Sequence, residues 1–176
     1  MTIPISITRR SLVALGAGMA SFALISPASA VTLVTPTQKK ILTITGKITN
    51  TNDGNAAVFD RPMLEALGMS SVETATPWYT GIIKFEGVRM DTLMRHVGAT
   101  GESVTAIALN DFSSEIPISD FSRYGVLLAL KRDGNYMPVS DKGPLFIVYP
   151  YDSSPELRAQ KFYSRSAWEL AQLIVQ

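Results

Sequence analysis

The sequence contains no cysteine and a single histidine, His96. The first absence excludes disulfides, thiolate metal sites and a cysteine nucleophile. It is compatible with an oxidising compartment, where a free thiol is a liability, without requiring one. A zinc site needs several ligands, and a Ser-His-Asp triad would need this one histidine beside a serine. His96 falls in "DTLMRHVG", a short amphipathic helical pattern, and reads as a surface or structural residue. Long runs of Lys or Arg are missing too, and the formal net charge is +1, so neither a nucleic-acid footprint nor a polybasic membrane patch is indicated. No apolar stretch of membrane-spanning length follows the first thirty residues.

What is present suits a folded domain. Of 176 residues, 46% are hydrophobic and 18% charged, which supplies a core and is too little charge for disorder. The first thirty residues read as a leader. A basic region (Arg9, Arg10) precedes an apolar run from Leu12 to Ile25, and Ala28-Ser29-Ala30 forms an A-x-A cleavage site. The run is too short and too rich in Gly, Ala and Ser for an anchor. Cleavage after about Ala30 leaves one domain over residues 31–176 with a formal charge of −1. "TRRSLV" also places twin arginines before the apolar run, as in a twin-arginine signal, so both that route and the general one remain open. Export to the periplasm is expected, with no insertion of the mature chain into the membrane.

Along the mature chain, residues 31–40 read as an exposed leading arm. "ILTITGKIT" predicts a strand over Ile41–Thr49, and "NTNDGN" a turn. "DRPMLEALG" predicts a short helix with Asp60 as N-cap and Gly68 beyond its end. "SSVETAT" and "GIIKFEG" read as strands around "PWYT", followed by a helix ending at Gly98 and strands in "SVTAIALN" and "SSEIPI". Ser119 can cap one helical turn through Tyr124. "GVLLALKRDGNYM" signals a hairpin turning at Asp133-Gly134, and "PLFIVYP" an apolar strand. "SPELRAQ" is short helix or irregular, and "AWELAQLIV" fits strand or helix, with strand preferred at Leu173–Val175. The expected class is α+β, mostly β, with antiparallel pairing and a few short helices.

Three stretches that read as loops combine aromatics with hydrogen-bonding groups. The first holds Trp78 and Tyr79. The second holds Asn110, Asp111 and Phe112. The third runs from Tyr149, Tyr151 and Asp152 to Tyr163, Ser164, Arg165 and Trp168. Such groups suit a flat heteroaromatic ligand: a ring stacks on its face, and an acid or amide reads its hydrogen-bonding edge. Each also has a structural reading. The tryptophans and the Tyr149/Tyr151 pair can serve the core, Asp111 can shape a turn, and Asp141-Lys142-Gly143 reads as a solvated turn.

The ordered set "TPWYTGIIKFEGVRMDTLM", "ALNDFSSEIPISD", "YGVLLALKRDGNYMPVSDKGPLFIVYPYD" and "FYSRSAWEL" resembles the oxidoreductase molybdopterin-binding domain family, over about residues 41–176. The resemblance implies the sulfite oxidase fold with short helices. In sulfite oxidases a cysteine thiolate ligates molybdenum, and this chain has none. It is closest to the cysteine-free subgroup, which implies binding of a pterin without metal, in place of catalysis, by a periplasmic protein that acts on a membrane-bound signalling receptor. One carboxylate could satisfy the paired N–H groups of a pterin edge, with Asp111 and Asp152 as alternatives, while Arg165 suits a carbonyl, hydroxyls or a phosphate. Two other readings fit the same residues: a molybdopterin-dependent oxidoreductase subunit, and a ligand-free interaction module of the same fold.

Overall fold

Alternating and β-branched segments of the chain pair into two five-stranded sheets that share one hydrophobic core. The computed structural model describes residues 33–176, so the leader expected over residues 1–30 lies outside the described residues. The first sheet has the order β2 (Ala57–Phe59), β1 (Leu42–Gly46), β10 (Leu170–Val175), β5 (Ser103–Ala108), β6 (Ser113–Pro117). The second is built on β3 (Met69–Thr76), β4 (Tyr79–Arg89) and β7 (Leu127–Arg132). Here β8 (Asn135–Tyr136) and β9 (Phe146–Val148) follow one another along the free edge of β7. Four short helices connect them: α1 (Arg61–Ala66), α2 (Met90–His96), α3 (Ile118–Tyr124) and α4 (Gln160–Ser164). The class is α+β with strands dominant, as expected.

The local chemistry explains most boundaries. Asp60 caps α1, its carboxylate accepting the Met63 N–H at 3.0 Å. The same buried carboxylate takes the N–H groups of Thr37 (2.8 Å) and Gln38 (2.9 Å), which ties the leading arm to the helix. Asp133 and Gly134 both have positive φ, 48° and 81°, the geometry of the two-residue turn that matches strand twist.

Several expectations need correction. The first strand stops at Gly46, three residues early. Its φ is 90°, and a Cβ there would lie 2.1 Å from the Val175 carbonyl oxygen, so the chain turns away where it crosses β10. The apolar strand shrinks to Phe146–Val148, flanked by Pro144 and Pro150, which lack the N–H that a ladder needs. Ser119 caps nothing: α3 begins at Ile118 after Pro117, and Ser119 is already helical. The final strand is longer than expected, Leu170–Val175. Among the described residues pairing is antiparallel except between β1 and β10, the first and last strands, which run parallel. The leading arm is also not wholly exposed, since Leu33 is buried and its N–H bonds the Thr51 carbonyl.

The core draws on both sheets and on all four helices, α1 and α4 contributing Leu64 and Phe162. Ile44, Leu173 and Val104 meet Phe85, Leu128 and Phe146 in one cluster, closed by Leu93 and Phe121. No helix among the described residues is long and apolar enough to cross a membrane.

Candidate functional site

Three segments far apart in sequence converge on one cleft of about 420 Å³. The β3–β4 hairpin tip supplies Pro77 and Trp78. The turn between β5 and β6 supplies Asn110 and Phe112. The stretch from α4 to β10 supplies Gln160, Tyr163, Ser164, Ser166 and Trp168. Hairpin register sets the first element: Thr76 pairs with Tyr79, leaving Pro77-Trp78 at the tip, where the Trp78 N–H bonds Thr76 Oγ1 at 3.3 Å. Asn110 shapes the second, its side-chain oxygen accepting the Phe112 N–H at 3.1 Å in an Asx turn. Asp111, at φ 64°, takes the left-handed position of that turn.

Aromatic packing fixes the floor. The half-buried Trp78 ring meets Phe146 edge-on at 5.3 Å and Tyr163 at 6.0 Å, and lies 6.3 Å from Tyr151. Phe112 lines the same cleft and remains 48% exposed. The lining carries hydroxyls and two amides but no carboxylate, amine, guanidinium or imidazole. Chemically this arrangement can stack a flat neutral ring and read its edge through Asn110, Gln160 and Ser164. It provides no strong acid or base at the surface of the cleft.

Six of the twelve residues expected from sequence line this cleft: Trp78, Asn110, Phe112, Tyr163, Ser164 and Trp168. Two more, Tyr151 and Asp152, line an adjoining hollow that shares Pro77 and Tyr163 with it. The other four lie elsewhere. Asp111 is exposed outside the lining. Tyr79 faces away, its hydroxyl donating to Asp141 Oδ1 at 3.0 Å beneath the Arg132 guanidinium, 4.5 Å above the ring. Burial, then the Asp141 hydrogen bond, pushes the Tyr79 hydroxyl up to about 12 against the opposing pull of Arg132. Tyr149 is fully buried and donates to Asp120 Oδ2 at 2.8 Å; burial and that carboxylate raise its pKa far above the ordinary phenol value. Arg165 closes the same triad at 2.8 Å from Asp120 Oδ2.

The two carboxylates weighed for the ligand edge are thus placed differently from a ligand contact in this cleft. Asp152 accepts the Ala75 N–H at 2.6 Å, the Thr74 hydroxyl at 3.4 Å and the Arg158 guanidinium at 2.9 Å. Those bonds, the Ala75 N–H first, hold its carboxyl below the usual range and pin the exit of β9 to β3. Tyr151 is likewise committed, its hydroxyl hydrogen-bonded to Ser166 Oγ. The Asp141-Lys142-Gly143 turn is more than a solvated corner: Asp141 pairs with Arg132 at 2.8 Å, and Lys142 lies 4.7 Å from the Tyr79 ring and 5.9 Å from Trp168. His96 is exposed, tilted against Phe59 at 6.1 Å. Among the described residues no three His, Asp or Glu side chains come together as a metal site.

Pro77, Gln160 and Ser166 were missed. Pro77 and Ser166 lie inside the aromatic stretches singled out by sequence, whereas Gln160 carries no local signal, because only the packing of α4 brings it to the cleft. No known family model matches the chain, and no curated protein matches it.

Proposed function

We propose that this cleft binds a pterin free of molybdenum, in a domain of the sulfite oxidase type. The protein then acts in the periplasm as a ligand-responsive adaptor for the periplasmic part of an inner-membrane signalling receptor. The observation that carries the reading is the convergence of Trp78, Asn110, Phe112, Tyr163, Ser164 and Trp168 from three separate segments on one cleft. A pterin is flat and uncharged in its ring, so aromatic walls suit its faces. Its edge alternates donors and acceptors, and primary amides offer both. Asn110 and Gln160 therefore take the recognition role that a carboxylate would otherwise have. A lining without acid or base favours holding a ligand over transforming it. The lack of any cysteine favours a metal-free pterin over the molybdenum form.

The test is the small molecule itself. Protein isolated from the periplasm and denatured should release a compound with pterin fluorescence and no stoichiometric molybdenum. Molybdenum at one atom per chain would replace this reading with that of an oxidoreductase subunit. If nothing is released and added reduced pterins fail to bind, the ligand-free module is favoured.

A further inference from the structure

A second cleft, also about 420 Å³, takes its lining in part from the same two segments as the first. The two share a wall. Asn110, Phe112 and Trp168 face the first cleft, and their chain neighbours Leu109, Leu170 and Ala171 line the second. Between them Glu169, at φ 54°, is held from both sides: its N–H bonds the Lys142 carbonyl at 3.1 Å, and its carbonyl accepts the Leu109 N–H at 2.8 Å.

The second cleft differs in character from the first. Most of its lining is apolar and part of it is open to water, with Leu109 53% and Val139 50% exposed, both among the large hydrophobics that the fold leaves uncovered. Pro138 and Pro144 contribute no N–H groups to it. Its charged lining residues are all cations, Lys39, Lys40 and Arg61, and no carboxylate lines it. Lys40 is engaged by the exposed Asp53 at 2.8 Å. The Arg61 guanidinium carbon lies 4.1 Å from the centre of the Tyr136 ring. Lys39 forms no salt bridge among the described residues.

A mostly apolar cleft whose charged lining is entirely cationic matches a ligand that joins an apolar chain to an anionic group. We infer that this cleft binds a single-chain amphiphile with an anionic head, the chain lying along Leu109, Val139 and Leu170 and the head between Lys39 and Arg61. Charge complementarity selects the head, since every charged side chain of the lining is a cationic donor and its one other polar side chain is the neutral Thr43 hydroxyl. The concave shape selects one molecule over a bilayer surface. The inference is independent of the pterin reading, because neither its residues nor its probe involve the Trp78 cleft.

The test is calorimetric titration of the purified protein with dodecanoate below its micelle threshold, beside dodecyltrimethylammonium, dodecyl maltoside, butyrate and anionic phospholipid vesicles. Dodecanoate should bind one to one, and the cationic, uncharged and short-chain probes much more weakly. Lys39→Gln and Arg61→Gln should each weaken dodecanoate roughly fivefold, the upper range for an exposed ion pair. Val139→Asp, a surface change that spares the fold, should weaken it further, while Trp78→Ala should leave it unchanged. The inference is overturned by absent dodecanoate binding, by equal binding of the cationic probe, by binding to vesicles alone, or by loss of dodecanoate on Trp78→Ala.

Discussion

Replacing Arg165 with methionine should destabilise the protein and spare ligand binding. The guanidinium sits 2.8 Å from Asp120 Oδ2, an oxygen that also accepts the hydroxyl of the buried Tyr149 at 2.8 Å. The Asp120 side chain is 10% exposed and that of Arg165 26%. A fully buried pair broken from one side costs about 3–5 kcal/mol, and an exposed pair about 0–1 kcal/mol. The partial exposure of Arg165 places this pair between them, at about 2–3 kcal/mol. With a urea slope of about 1–3 kcal/mol/M, the unfolding midpoint should fall by roughly 1 M at unchanged slope. Asp120→Asn in the same background should then cost less than it does alone, because the two sites share one interaction. Pterin affinity should stay within about twofold of the parent, since the side chain lines neither the cleft nor the adjoining hollow. A midpoint shift near zero together with a tenfold loss of affinity would refute the triad and return Arg165 to the binding site.

Other positions give sharp outcomes. Asp60→Ala removes the acceptor of three backbone N–H groups and should cost about 2–3 kcal/mol by thermal or urea unfolding. Although burial works the other way, the Met63, Gln38 and Thr37 N–H groups hold the Asp60 carboxyl below its ordinary 3.8. Its stabilisation is therefore complete above that value and lost as pH falls through the lower folded value, so acid unfolding should be shallower in Asp60→Asn. Tyr79→Phe should remove a phenolate absorbance step near pH 12; loss of a step near 10 instead would contradict the half-buried Asp141 contact. A raised folded pKa stabilises below pH 10 and fades as pH rises towards 12, so the parent should lose this contribution in that window. Trp78→Ala should weaken pterin binding by about 1–3 kcal/mol, the range for one aromatic stacked on a base, read by fluorescence titration. An unchanged affinity would take Trp78 out of the site.

Short-range chemistry was readable in the sequence because it is local. The Asp60 cap, the Asp133-Gly134 turn and the hairpin around Pro77-Trp78 each depend on residues within a few positions of one another. The same holds for six of the expected lining residues, whose aromatic and polar character marks loops that meet in the cleft. Long-range partners were not readable. The parallel pairing of β1 with β10 joins strands from opposite ends of the domain, and no local pattern records it. Asp152 and Arg165 look like ligand residues until Ala75, Thr74, Arg158 and Asp120 arrive from elsewhere and occupy them. Gln160 is the converse, an unremarkable residue that packing brings to the cleft.

The central claim is that the Trp78–Trp168 cleft holds a metal-free pterin, and a thermal-shift titration with a reduced pterin tests it most directly. At 100 times the dissociation constant a single site should stabilise the protein by about 2.7 kcal/mol, and Trp78→Ala should shift that curve to higher concentration. No stabilisation at millimolar pterin, in protein stripped of any bound small molecule, would contradict the account.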